Sequence, residues 1–420
     1  MINGQENVPE TGPVIFAANH LNALMDPLAV ISVIPKKMPI VYMVRSDYFK
    51  NKKMAGILRF CKLLPAFRMR DGMGNLEKNH GVFENCIEVL DHNKALGIMP
   101  EGNQGGYRKI RPLAKGIFRI AFAAQQKYGM QPGVKIVPVG INYENLEKFG
   151  KRIIVNIGNP IEVSEYMAGY AENHAIATNV IRDRLSEDLA GLTLNIDTEK
   201  YYSGIETASE VASRTVAKKL RMPDKTLSHF FASQKIAQHL LILEKKAPEL
   251  IDKLDRYCSE YRINMKKLNL DSSVLELRRH KIRNLALSTL LLVVTFPVFI
   301  IGLLLNFFPF FGPEFIRRIF KINLPGGLSS LRFGLGLFTF PVFYILQGIL
   351  ICRRFEQSLW NLFVFIPAQY VFGKLSYIWY RSYKKLITKI RYRRLVKQNS
   401  QTLLKTKYLH EQICDIVQAT

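Results

Sequence analysis

Two stretches without a single charged side chain, Leu285–Leu305 and Phe333–Ile351, limit most tightly how this chain can fold. At 21 and 19 residues, each is long enough for a helix to cross a bilayer, which takes about 20 residues. A third run, Leu359–Gly373, has 15 residues before Lys374 and contains Pro367. It reaches spanning length, over 359–380, only if the lysine snorkels and Tyr377 and Trp379 settle at the interface. One such run is compatible with a buried core hairpin; three in succession are expected to be transmembrane segments.

Charge around these runs sets an expected topology. Arg278, Arg279, Lys281 and Arg283 precede the first, and the tail after the third carries Arg381, Lys384, Lys385, Lys389, Arg391, Arg393 and Arg394. The excess of Lys and Arg on cytoplasmic loops places both flanks in the cytoplasm and requires an even number of crossings. One of the three runs is then re-entrant or interfacial, either the first, with Pro297 inside it and Phe307-Phe-Pro-Phe-Phe311 after it, or the short third. The whole chain carries 59 Lys and Arg against 34 Asp and Glu, a net charge of +25, so an anionic partner is expected. Juxtamembrane basic residues facing anionic membrane lipid account for this charge. Nucleic acid is not expected, because the basic residues crowd the membrane runs and lack interleaved stacking aromatics in a soluble module. The five cysteines (61, 86, 258, 352 and 414) show neither close pairing nor metal spacing, which suits a reducing compartment. Met1–Gly12 is polar without an apolar h-region, so no cleaved export signal is expected. The first strand follows so soon that elements shielding it are expected to be absent, supplied elsewhere or encoded upstream.

At 420 residues the chain is long enough for two or three domains. Between 13 and 162, short β-rich runs alternate with helical patterns. Val14–Ala18, Ile40–Val44, Ala95–Met99, Lys135–Val139 and Ile153–Ile157 read as strands, and Leu76–His92 and Leu113–Tyr128 as amphipathic helices. Strands interleaved with helices imply an α/β domain with a mixed, largely parallel sheet flanked by helices. From 165 to 280 the strand signal vanishes. Leu227–Lys246 and Pro248–Leu270 read as helices, the second with Pro in its first turn, in a solvated helical insert. The expected organisation is a catalytic domain at 1–195, a helical region at 196–284, membrane segments at 285–380 (285–305, 333–351 and 359–380) and a basic tail at 381–420.

In a parallel sheet, ligands collect at the carboxyl ends of the strands. There, after Pro13-Val-Ile-Phe-Ala-Ala18, stand Asn19-His20 and Asp26-Pro27. A carboxylate that holds an imidazole fixes its tautomer and makes it a general base for a hydroxyl attacking a carbonyl. Residues six apart do not share a helix face, so the pair meets only if the chain turns between them. Asp26 before Pro27 also fits a helix N-cap with Pro at the first helical position.

Three further blocks follow. Leu64-Pro-Ala-Phe-Arg68-Met-Arg70-Asp71 offers two guanidinium groups, which suit bidentate phosphate recognition. Met99-Pro-Glu101-Gly102-Asn-Gln-Gly105-Gly106 ends a strand in a glycine-rich turn, and Arg108, Lys109, Arg111 and Lys115-Gly116 come after it. Glycine there permits close backbone approach to a polar ligand. Ile136-Val-Pro138-Val-Gly140-Ile-Asn-Tyr143 reads as a buried strand that breaks at the glycine.

In this order and at these separations, the four blocks resemble the glycerolipid acyltransferase family, over residues 13–162. The family pattern runs Asn-His-x4-Asp, a Pro-x-x-Arg-like block, Pro-Glu-Gly and Val-Pro-Val. The resemblance implies that His20 deprotonates an acceptor hydroxyl, that Asp26 orients it, and that Arg68 binds the acceptor phosphate. Glu101 with Gly102 would contact the acceptor, and Pro138 lies in the block shaping the donor side. Two departures matter. His20 and Asp26 are separated by five residues instead of four; this gap, with Asn22, which the resemblance places among the substrate-binding residues, is similar to the branch of fungal-type glycerol-3-phosphate and dihydroxyacetone-phosphate acyltransferases. Asn103-Gln104 replaces the commoner Thr-Arg, which shifts phosphate binding toward Arg68, Arg70, Arg108 and Lys115.

The implied reaction is direct acyl transfer from acyl-CoA or acyl-carrier protein, since no Ser or Cys stands beside His20 to form an acyl-enzyme. Amides of the glycine turn are candidates for holding the oxyanion. No metal or redox cofactor is expected. The expected acceptor is glycerol 3-phosphate or dihydroxyacetone phosphate, with the 1-acyl derivative as the alternative; a catalytically inactive lipid-binding scaffold is the reading from another class.

Overall fold

The computed structural model describes residues 1–419 apart from 67–75, 93, 129–132, 148–149, 224, 276–284 and 323–326, and apart from the side chains at 54, 76–80 and 273. The chain divides into two compact units, one made of Met1–Asp197 with Pro325–Ser330, the other of Thr198–Leu324 with Leu331–Thr420.

The first unit is built on an eight-stranded sheet: β1 (Ile2–Asn3), β2 (Val14–Ala18), β3 (Ile40–Arg45), β4 (Leu63–Ala66), β5 (Ala95–Ile98), β6 (Lys135–Tyr143), β7 (Ile153–Ile157) and β8 (Ile161–Glu162). Strand order is β1-β7-β6-β2-β5-β3-β4, with β8 on β6. All pairings are parallel except those of β7 and β8 with β6. The uncharged run at 14–18 becomes the central strand, buried at every residue as a sheet covered on both faces requires.

Alternation along the strands sorts side chains into two cores. Ile15, Ala17, Leu96, Ile98 and Ile136 face α3 (Leu76–Asp91), α4 (Gly116–Tyr128) and α6 (His174–Leu192). Phe118 and Phe122 of α4 are fully buried there, and truncating either to alanine would cost about 3–5 kcal/mol. Val14, Phe16, Ala18, Val137, Val139, Ile141 and Tyr143 form the opposite core with Ala29 and Val30 of α1 (Met25–Ile31). In the same layer, the Tyr42 ring lies where a Cβ on Gly97 would stand 2.2 Å from it.

Strand β6 does not break at Gly140. It pairs with β2 only as far as Ala18 opposite Val139, then runs on beside β7 to Tyr143. The glycine answers a different need: a Cβ at 140 would lie 2.5 Å from the carbonyl oxygen of Leu192. That oxygen accepts hydrogen bonds from the side chains of Asn142 and Asn156, at 3.0 and 2.8 Å.

The second unit is helical among the described residues. Its α7 (Tyr202–Lys219), α8 (Thr226–Lys246), α9 (Pro248–Leu268) and α14 (Gln401–Ala419) pack together. The first apolar run is interrupted at Thr295 into α10 (Leu285–Val294) and α11 (Phe296–Ile319), with Pro297 in the first turn of α11. The ten residues of α10 rise only about 15 Å, half a bilayer core. Among the described residues, the helices long and apolar enough to cross a membrane are α11 and α12 (Leu328–Arg354), and only 17% of the apolar stretch of each is buried. The third run opens α13 (Leu362–Lys397), which continues past Gly373. Helices α11 and α13 approach closely at glycine: a Cβ on Gly302 would meet the carbonyl oxygen of Phe372 at 2.2 Å, the small-residue packing found between membrane helices.

Candidate active site

The two catalytic blocks meet because β2 and β5 are parallel neighbours, with Ala17 opposite Ile98, so the residues after each strand emerge at the same edge. Asn19 first extends the ladder. Its side-chain oxygen accepts from the N–H of Ile141 at 2.6 Å, and its amide donates to the Ile141 carbonyl at 3.1 Å. The side chain thus substitutes for one more backbone residue, bonding β6 where β2 has ended.

His20 is gripped by its backbone. Its N–H donates to Oε1 of Glu101 at 2.9 Å, and its carbonyl accepts from Gly105 N–H at 3.0 Å and from Arg111 at 3.2 Å. The chain then turns, as the six-residue separation demands, and Nδ1 of His20 donates to Oδ2 of Asp26 at 2.9 Å. Nε2 bonds to no described residue, and 18% of the His20 side chain remains exposed. This is the orientation a general base requires, one nitrogen held by a carboxylate and the other turned to a substrate.

Asp26 is completely buried, within the first turn of α1 instead of capping it. Oδ2 also accepts the N–H of Asn22 at 2.7 Å, and Oδ1 accepts the Tyr143 hydroxyl at 2.5 Å. Burial, and next the charge of Asp26, push the Tyr143 phenol far above its ordinary range; the same two causes raise Tyr42. Tyr42 donates to the carbonyl of Pro27 at 3.2 Å, tying β3 to the helix that carries Asp26.

Glu101 serves His20 more than solvent. Its carboxylate is 2% exposed and pairs with Nε of Arg111 at 2.5 Å. Burial raises its pKa, while Arg111 and the His20 N–H pull it down. Arg111 also donates to the carbonyl of Asn103, so one guanidinium ties together the glycine turn, Glu101 and His20. Gly102 adopts a left-handed φ of 69°. The amides of Gly102 and Gly105 donate to the carbonyls of Met99 and His20 and so close the turn instead of pointing at a ligand.

Asn22 is buried to 0% exposure, and its amide donates to the Leu146 carbonyl at 3.3 Å. Lys115 is exposed immediately before α4, where the Ala114 N–H bonds the Pro100 carbonyl at 2.8 Å. Arg68 and Arg70 lie outside the described residues. Lys109 pairs with Asp197 at 2.7 Å. Tyr143 and Arg111 belong to the site although nothing in the sequence distinguishes Arg111 from its basic neighbours, and Tyr143 stands 117 residues from its partner.

Residues 1–142 match the acyltransferase family model. The amino-terminal region is an acyltransferase domain. Relatives that it matches are named as glycerol-3-phosphate and 1-acyl-sn-glycerol-3-phosphate acyltransferases. The chain is 25% identical over 312 residues to glycerol-3-phosphate O-acyltransferase 1 of Saccharomyces cerevisiae, covering 69% of this chain and 40% of that protein. It is 26% identical over 422 aligned positions to glycerol-3-phosphate O-acyltransferase 2 of the same yeast, covering 91% and 54%. A 1-acyl-sn-glycerol-3-phosphate acyltransferase of Borreliella burgdorferi is 24% identical over 196 residues, covering 45% and 71%. The chain thus spans about half the length of the yeast relatives it matches. Within the acyltransferase domain, the Asn-His and Pro-Glu-Gly blocks resolve into one assembly in which the second holds the backbone of the first.

Proposed function

We propose that this chain is a membrane-bound O-acyltransferase that moves a fatty acyl group from an acyl thioester, acyl-CoA or acyl-carrier protein, to a hydroxyl of glycerol 3-phosphate or dihydroxyacetone phosphate. The observation that carries this reading is the His20–Asp26 pair, with Nδ1 held at 2.9 Å and Nε2 unbonded among the described residues. Nε2 takes the acceptor's hydroxyl proton while the oxygen attacks the thioester carbonyl. Collapse of the tetrahedral oxyanion breaks the carbon–sulfur bond, and the proton passes from His20 to the leaving thiolate. Asp26 stabilises the imidazolium between these steps. Arg68, Arg70 and the exposed Lys115 are the proposed phosphate ligands, and Glu101 with Gly102 borders the acceptor.

Exposed apolar faces on α11 and α12 support anchoring in lipid. The basic clusters at 278–283 and 381–394 support a catalytic domain on the cytoplasmic face, against anionic lipid. A second reading, transfer to 1-acylglycerol 3-phosphate, is favoured by the name of the Borreliella relative. An inactive lipid-binding scaffold would have no use for an intact buried carboxylate behind an imidazole that keeps a partly exposed edge.

The test is transfer of a radiolabelled acyl group by membranes containing the full chain, with each acceptor offered separately. His20→Ala should lower transfer by about 10²-fold or more, and Asp26→Asn should impair turnover with little change in substrate affinity. Arg68→Ala should raise the KM for a phosphorylated acceptor about tenfold or more, leaving the KM for the donor in place. Wild-type rates from His20→Ala would remove the basis of the assignment.

A further inference from the structure

The first unit contains a short segment from far along the chain, of which Gly327–Ser330 is described. Helix α1 explains why it matters. The residue at its N-cap is Leu24, whose side chain cannot accept a hydrogen bond from the first free N–H groups of the helix. Oγ of Ser330 does so instead, accepting from Leu24 N–H at 2.8 Å and Met25 N–H at 3.1 Å. The same hydroxyl donates to Oδ1 of Asn22. One donor and two acceptor positions are all that a serine hydroxyl offers, and all three are used.

Ser329 holds the other end of the Asn22 side chain. Its Oγ accepts from Nδ2 of Asn22 at 2.6 Å and donates to the Leu146 carbonyl at 2.8 Å. Asn22 in turn donates its backbone N–H to Asp26 and accepts the N–H of Asp26 at its carbonyl, at 2.7 and 3.1 Å. The serines therefore fix both ends of the amide in the middle of the His20–Asp26 turn and the first turn of the helix that carries Asp26.

We infer that Ser329 and Ser330 are positioning residues for the His20–Asp26 pair, acting through Asn22 and the start of α1. The inference rests on the reading of His20 as the transfer base. Neither serine contacts His20, so their effect falls on how often the pair is aligned and not on substrate affinity. Asn22 takes the same positioning part, because its side chain is buried and bonded at both ends.

Two measurements on the full-length protein in membranes test this. Ser330→Ala should lower kcat for acyl transfer on the order of tenfold, the scale of a small misplacement of a catalytic group. Both KM values should stay within about twofold, since no substrate contact is removed. Ser330→Thr keeps the hydroxyl and should restore most of the rate. Hydrogen exchange, which needs no substrate, should quicken at residues 22–26 in Ser330→Ala while the β2 amides at 14–18 keep their protection. Wild-type kcat and exchange in Ser330→Ala would overturn the inference, as would faster exchange spreading through β2, which would mark a general support of the fold. A fall expressed chiefly in one KM would also overturn it, placing the serine against substrate. A wild-type protein inactive on every glycerol phosphate would defeat the proposed function and the base role of His20; the exchange measurement would still report on the serine contacts.

Discussion

The hydroxyl of Tyr143 donates to Oδ1 of Asp26 at 2.5 Å, across 117 residues of chain. The contact exists because β6 overruns β2 by four residues, Gly140 to Tyr143, and carries its last side chain to the first turn of α1. The carboxylate that orients His20 is thus itself oriented from the sheet. Tyr143→Phe should keep the fold and slow acyl transfer. A hydrogen bond to a charged partner contributes about 1.5 kcal/mol or more, roughly tenfold in rate. The fall should appear in kcat, with both KM values little changed.

Alkaline pH should weaken the domain through the same phenols. Tyr143 and Tyr42 both titrate above the ordinary value of 10 in the folded protein, chiefly through burial and then through the charge of Asp26. Between that value and the raised one, the folded state keeps protons that the unfolded chain has lost. Stability supplied by the neutral phenols is therefore fully present below pH 10 and declines as pH rises beyond it. Thermal midpoints measured from pH 8 to 11 should turn downward near 10, and the slope should be shallower in Tyr143→Phe.

Arg111→Met should destabilise the domain more than an exposed ion pair would. The guanidinium is the charged partner of a carboxylate only 2% exposed, and stranding a buried charge costs about 3–5 kcal/mol. Since burial already raises Glu101, loss of Arg111 should raise it further, and the damage should be greatest at alkaline pH. Adding Glu101→Gln to Arg111→Met should recover part of the lost stability in a denaturant titration. Simple additivity of the two losses would contradict the pairing.

Gly140→Ala tests the reason for the glycine in the Val-Pro-Val block. The added methyl would stand 2.5 Å from backbone atoms of Leu192, which cannot rotate away as a side chain can. Overpacking of this kind costs about 1–3 kcal/mol, read as a lower thermal midpoint. Exchange at Leu194, whose N–H bonds Asn142 at 3.0 Å, should rise with it.

What could be read in the residues follows the range of the forces involved. The five main strands stand out because each carries at least three consecutive apolar residues, and Val14–Ala18 occupies the same five positions in sequence and structure. Strands β1 and β8 have two residues each, and β4 is Leu63-Leu-Pro-Ala with Pro65; they form because neighbours present open edges, not because of any period of their own. His20 and Asp26 were legible together because a turn of six residues is local. Their supports were not. Arg111 is one of several cations after the glycine turn, and only the path of the chain from 101 to 111 selects it for Glu101. The expected break at Gly140 failed because glycine there makes room for another segment, a demand invisible along the strand. The first apolar run shifted to 296–319 because Thr295 and Pro297 open a new helix inside it.

The distance along the chain between Asn22 and its serines orders events during synthesis. A ribosome releases 1–197, with every strand of the sheet and the His20–Asp26 pair, long before Ser329 and Ser330 exist. Everything from 198 to 326, including α10 and α11, must emerge first. Until then Leu24 and Met25 lack the acceptor that caps them, and the base sits in a turn held at one end only. A nascent chain would complete its fold of sheet and helices early and its alignment late, becoming fully competent only once the first turn of α12, which carries Ser329 and Ser330, has been made.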